Sequence, residues 1–270
     1  MHAQTRWINC KKAGFLTAAL SSNLFLQAVP AFGAHPFLTD DTFTQGKGNA
    51  QIEASYQYTH NDDAGEKTQT SQPQVQITYG FLDPLDAIVT VPYLYVRQTQ
   101  GGDTTDNNGI GDITLALKWR FFGEKEGLQF AIKPYVTIPT GDEEKGHGYG
   151  REAYGIRLIS TFDRESWCVN VNLGYLYNEY GLPSNRDAYR PDIWYAGLSG
   201  QLRVLEKLWL VGEAAVARNP DVTSDTPPAY ILGGFIYEIT KNVDFDVGYK
   251  HGLNKPAADY SISGAITVGF

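Results

Sequence analysis

From residue 50 to the C-terminus, apolar and polar side chains alternate one by one, the mark of strands whose two faces meet different surroundings. In Asp112–Phe121, Ile113, Leu115, Leu117, Trp119 and Phe121 share one face, while Asp112, Thr114, Ala116, Lys118 and Arg120 share the other. Ala50–Thr59 and Trp167–Tyr177 repeat the pattern. Read throughout, it predicts about twelve strands of roughly ten residues, long enough to cross a bilayer at a tilt. They are Ala50–Thr59, Gln72–Phe81, Ala87–Arg97, Asp112–Phe121, Leu128–Ile138, Glu152–Phe162, Trp167–Tyr177, Asp192–Val204, Leu208–Arg218, Ala229–Ile239, Val243–His251 and Tyr260–Phe270.

The connections separate a membrane barrel from a soluble sandwich. Short turns at Leu82–Asp86, Phe122–Gly127, Asp163–Ser166, Leu205–Lys207 and Thr240–Asn242 alternate with longer polar loops. Those are His60–Ser71, Gln98–Gly111, Pro139–Arg151, Asn178–Pro191, Asn219–Pro228 and Gly252–Asp259. A sandwich has no reason to sort its loops by length, whereas an outer-membrane barrel keeps short turns in the periplasm and long loops outside. Aromatic residues gather at the predicted strand ends, as two interfacial girdles would. Mean hydropathy is −0.31, which excludes a helical membrane protein but suits strands that are apolar on one face only. The predicted fold is an all-β, transmembrane, up-and-down antiparallel β-barrel over residues 50–270.

Residues 1–34 read as a secretory signal peptide: Arg6, Lys11 and Lys12 precede the apolar stretch Ala13–Leu20, and small residues crowd at Ala31, Gly33 and Ala34. The leader holds three basic residues and no acidic one, so its removal takes the net charge from −8 to −11. An anionic mature chain argues against nucleic-acid binding. Cys10 leaves with the leader, and Cys168, left alone, reads as a buried structural thiol. Residues 35–49 read as a periplasmic lead-in, within which Thr39–Gly48 reads as lead-in or partial plug rather than as a cofactor loop.

The closing strand, Tyr260–Phe270, resembles the segment that barrel-assembly machinery recognises, with Tyr260, Ile262, Ile266, Val268 and the terminal Phe270 as its signal. The stretch HPFLTDDTFTQGKGNAQIE at His35–Glu53 and GIGDITLALKWRFF at Gly109–Phe122 resemble the outer-membrane family called putative MetA-pathway phenol-degradation proteins. That resemblance implies a barrel engaged in uptake of small, aromatic or otherwise hydrophobic compounds, and it supplies no catalytic residues.

Nothing in the residues points to catalysis. His60, His147 and His251 lie in or beside predicted outer loops, and His35 at the processed terminus. His60 with Asp62 and Asp63 lacks a diagnostic metal spacing. Asp142, Glu143 and Glu144 with His147 permit a peptide-cleaving site but read better as a solvated acidic loop. Neither GHGYG at Gly146–Gly150 nor GIGD at Gly109–Asp112 joins a strand to a helix, so neither is a phosphate loop.

The functional expectation is a passive channel for small solutes, without cofactor or metal. Its polar inner face would carry Glu53, Asp112, Lys118, Arg120, Lys133, Arg157, Arg203, Glu213, Glu238, Asp244, Asp246 and Lys250. An outer-membrane hydrolase for lipid or peptide and a closed structural or adhesive barrel are the alternatives. The expected partners are outer-membrane lipid and lipopolysaccharide, the assembly machinery and the solutes themselves. Acidic residues outnumber basic ones in the outer loops, so the mouth should favour cations weakly and less so as salt rises.

Overall fold

The computed structural model describes residues 35–270 apart from 64, 124 and 125; the expected leader lies outside the described residues. The strands are β1 (Ala50–Asp63), β2 (Glu66–Leu82), β3 (Leu85–Gln100), β4 (Asp103–Ile110), β5 (Ile113–Phe122), β6 (Gly127–Ile138) and β7 (Ala153–Arg164). They continue as β8 (Trp167–Asn178), β9 (Asp192–Leu205), β10 (Leu208–Ala217), β11 (Ala229–Thr240), β12 (Val243–Gly252) and β13 (Tyr260–Gly269). A short helix, α1 (Pro183–Ala188), starts at a proline in the β8–β9 loop, where a missing N–H costs nothing.

Sequential neighbours pair antiparallel, and β1 pairs with β13 from Gln51↔Gly269 to His60↔Tyr260, so the sheet closes on itself. β4 and β5 are two pieces of one stave. β3 pairs with β4 from Tyr93↔Ile110 to Gln100↔Asp103 and with β5 from Leu85↔Trp119 to Thr90↔Thr114. The result is a closed twelve-stave antiparallel barrel, as the alternation predicts. Tyr260, Ile262, Ile266, Val268 and Phe270 lie on or beside the closing strand β13, with Ile262, Ile266 and Phe270 exposed on the outside.

Two expected loops are corrected. Gln98–Gly111 is largely the β3–β4 hairpin, turned at Gly101 and Gly102, whose φ of 60° and 93° suit glycine. His60–Ser71 is mostly the rising ends of β1 and β2. Above the apolar belt a strand meets water on both faces, so it has no apolar face and no alternation betrays it. This side of the barrel therefore stands tall, with β2 at 17 residues against 10 for β10.

The burial pattern is inverted relative to a soluble protein. Leu115, Leu117, Ile156, Leu158, Leu173, Leu198, Leu210 and Ile266 are exposed on the outer face. Phe81, Trp119, Phe121, Trp167 and Tyr237 ring the turn end, and Tyr56, Tyr95, Tyr154, Tyr177, Trp194 and Tyr249 ring the loop end. Lipid, not water, is the solvent for such a surface. The interior has two characters. Polar groups line one side, whereas Tyr135, Leu176, Ile193, Tyr195, Tyr230 and Leu232 form an apolar side together with Phe37 and Leu38.

Candidate functional site: the lumen and its plug

The segment from His35 to Gly46 runs through the barrel and organises the lumen, and residues 47–49 emerge exposed beside the β2–β3 turn. Thr39-Asp40-Asp41-Thr42 bends on itself: the Asp40 carboxylate accepts from the Asp41 N–H at 2.9 Å, and that of Asp41 accepts from Phe43 N–H at 2.9 Å. Such short side-chain-to-backbone bonds are the usual way Asp turns a chain without a ladder partner. The bend places Asp40 at the centre of the lumen, almost wholly buried.

Its backbone is satisfied by the wall. Asp40 N–H donates to Asn172 Oδ1 at 2.8 Å, and Asn172 Nδ2 donates back to Asp40 O at 2.7 Å. Thr42 N–H donates to Thr161 Oγ1 and the Thr42 hydroxyl to Gln129 Oε1, both at 3.0 Å. Glu213 Oε2 accepts from the N–H groups of Leu38 and Thr39 and from the Thr39 hydroxyl, at 2.9, 3.0 and 3.0 Å. Arg157 donates to Leu38 O at 3.0 Å. The backbone N–H of Gln45 meets Asp86 at 3.1 Å, and His35 is joined to Asp246. A buried backbone must find partners, and here wall side chains replace a sheet neighbour.

The charges follow the same plan. Lys118 and Lys133 grip the Asp40 carboxylate, with Nζ–O distances of 3.2 and 2.5 Å, and Lys118 also reaches Asp41 at 3.4 Å. These contacts join wall to plug rather than wall to wall, so the charges of the inner face are partnered in part by a segment outside the strands.

Of the expected lumen residues, Glu53, Lys118, Lys133, Arg157, Glu213, Asp246 and Lys250 are buried on the inner face, and Asp112 is buried beside the break between β4 and β5. Arg120 and Asp244 are half-buried towards the turn end. Arg203 and Glu238 also sit there, 3.8 Å apart, with Trp209 Nε1 donating to Glu238 at 2.7 Å. Asp112 does not offer its carboxylate to passing solute: its oxygens accept from Gly141 N–H at 2.8 Å and Tyr149 N–H at 2.9 Å. It latches the β6–β7 loop, which folds inward with His147 buried beneath it. Gly148 permits the approach, since a Cβ there would lie 2.2 Å from Asp112 Oδ1.

Beneath that loop is a cavity of about 70 Å³. Pro92, Leu94, Ala153, Leu176 and Tyr149 supply apolar wall; Gln72, Gln74, Thr90 and His147 supply polar groups. His147 Nε2 has no hydrogen-bond partner among the described residues, and burial lowers the pKa of this loop imidazole. His60 stacks on Tyr260 at 5.2 Å, and among the described residues no group of three or more His, Cys, Asp or Glu could hold a metal. Cys168 is buried and unpaired in a disulfide sense, its thiol 3.5 Å from Asn170 Oδ1.

Sequence reasoning found the wall charges but missed Asp40, Asn172, Thr161 and Gln129 as a set. One signal was available: Lys118, Lys133 and Arg157 fall on inward positions of three successive strands, a concentration of positive charge that calls for a carboxylate.

Residues 35–270 match the family model described as putative MetA-pathway of phenol degradation. Among solved structures, an outer membrane channel from Pseudomonas putida F1 is similar at 15% identity and a TM-score of 0.68, covering 86% of this chain and 99% of that one. The NanC porin is similar at 10% identity and 0.53, covering 82% and 98%. The β domain of the Bordetella autotransporter BrkA is similar at 12% and 0.54, covering 83% and 100%. No curated protein matches. Since these neighbours include solute pores and an autotransporter domain, the likeness establishes the barrel fold alone.

Proposed function

The chain belongs to that family, and on this premise we propose that it is an outer-membrane channel for passive uptake of small solutes with apolar, including aromatic, bodies. The observation that carries the reading is the manner in which the lumen is filled. A structural barrel would close itself with interdigitating wall side chains. Here the centre is occupied by a segment outside the strands, held in large part through polar bonds that water can replace.

The long loops then face outwards and the plug lies on the periplasmic side of the cavity. A solute entering under the β6–β7 loop meets Leu94, Leu176 and Tyr149 with Gln74, Thr90 and His147 opposite, a lining that suits an apolar body with a hydrogen-bonding group. No observation favours the hydrolase reading.

Planar-bilayer recording with purified full-length protein tests the proposal, alongside swelling of liposomes in solutions of aromatic and sugar solutes. Discrete conductance steps and faster swelling with the aromatic solutes are expected. A silent bilayer together with unswollen liposomes would leave a closed structural barrel as the better account.

A further inference from the structure

We infer that Asp40 occupies an anion site built into the lumen wall, and that a solute carboxylate takes its place when the plug withdraws. This rests on the channel reading and names a solute class for it: monocarboxylates with an apolar body.

The argument starts from register. Lys118, Lys133 and Arg157 project inwards from the adjacent staves β5, β6 and β7, and Lys133 is directly paired with Arg157 across two of them. All three are almost fully buried. Like charges this close are costly without an anion among them, and more so where water is scarce. Asp86 on β3 is the wall acid that acts on Lys118, and it is also engaged by the plug through Gln45 N–H. Glu53 on β1 is a second wall acid, acting on Lys133, but the carboxylates in direct contact with the two lysines are those of Asp40 and Asp41, on a segment that the wall does not own.

Withdrawing the plug therefore removes the carboxylate that Lys118 and Lys133 share. Open states without a replacement anion carry that penalty, whereas a solute carboxylate at the same place restores the contact. The solute thus binds the open state better than the plugged one, which is the condition for a ligand to shift the equilibrium. The body of the solute is specified next to the head. Arg157 lies 5.3 Å over the Tyr195 ring, and Tyr135, Leu176 and Ile193 continue that wall beside the guanidinium. With the plug in place the cavity there is only about 10 Å³, and Phe37 and Leu38 of the plug belong to the same apolar cluster; their departure frees the place for a planar or aliphatic body with its carboxylate towards the lysines.

The probe is benzoate, compared with benzyl alcohol, which keeps the ring and removes the charge. In bilayers holding wild-type protein, benzoate is expected to raise mean conductance severalfold in a saturable manner, and benzyl alcohol to leave it unchanged. In D40N the plug has already lost its grip, so the baseline should be raised and benzoate should now reduce the current by occupying the site. Equal responses to the two compounds, or the same benzoate-induced rise in D40N as in wild type, would overturn the inference while leaving the channel reading intact. Conductance absent from both proteins under all conditions would remove the channel reading and this inference with it. Should D40N fail to fold, the wild-type comparison still decides.

Discussion

Asp40 and Asn172 hold one another by two reciprocal hydrogen bonds, so that a single wall amide serves the plug as a neighbouring strand would. An amide can do this because it carries a donor and an acceptor side by side. Asn172→Asp keeps the shape and the acceptor but removes the donor, orphaning the Asp40 carbonyl at about 1–3 kcal/mol and setting a carboxylate near Asp40. The plug should spend more time displaced, read as longer open times in single-channel records. Open times equal to wild type would show that the pair does not hold the plug.

Asp112 offers a separate prediction, because it restrains the loop and not the plug. In Asp112→Asn one acceptor becomes an N–H facing the amide of Gly141 or Tyr149. A loss of about 1–2 kcal/mol is expected from the weakened, formerly charge-assisted pair. Tryptic cleavage after Lys145, in the same loop, should accelerate by roughly tenfold, the equivalent of ~1.4 kcal/mol if cutting follows the opened population. Unchanged cleavage would mean that the loop is held elsewhere.

Acidification should release the same loop through His147. Burial depresses the pKa of this imidazole below its ordinary value of 6.5, with Asp142 opposing and Lys145 adding to the shift. Between the depressed value and 6.5 the released loop binds more protons than the docked one, so docking is favoured above 6.5 and lost as pH falls through the depressed pKa. Proteolysis of the loop, with rates corrected for the enzyme's own pH profile, should accelerate over that window in wild type and less in His147→Gln. Parallel profiles for the two proteins would assign the effect to another group.

Ion preference should depend on whether the plug is in place. In the intact protein the acid-rich loops should favour cations weakly, and the effect should fade with salt because exposed charges are screened within about 8 Å. With Asp40 and Asp41 both replaced by Asn, Lys118, Lys133 and Arg157 remain in the path and the preference should move towards anions. Being buried, those charges are screened less, so the shifted preference should persist as salt rises. Reversal potentials in a KCl gradient measure both, and an identical cation preference in the two proteins would contradict the argument.

The barrel was legible because lipid outside and polar groups inside impose a period of two on every spanning strand; Leu115, Leu117 and Trp119 against Thr114, Ala116 and Lys118 show it within six residues. What lay beyond the lipid was not legible. Asp103–Ile110 pairs as regularly as any strand, yet DTTDNNGI has no apolar face to announce it. The plug was hidden for a different reason. Its partners, Asn172, Thr161, Gln129 and Glu213, come from four strands spread over residues 129–213, and each is an ordinary inward polar residue until the barrel closes around the segment. Asp112 was found as an inward charge, but its use as a latch depends on a loop whose path the alternation does not encode.

The unequal strand lengths have a consequence for approach from outside. Seven residues separate β2 from β10 in length, and at ~3.3 Å per residue one flank rises roughly 20 Å further along the strand direction than the other. The mouth is therefore bevelled. A molecule approaching from the loop end meets a polar rampart on the β1–β4 flank and a low sill on the β10–β13 flank, formed by the loops Asn219–Pro228 and Gly252–Asp259.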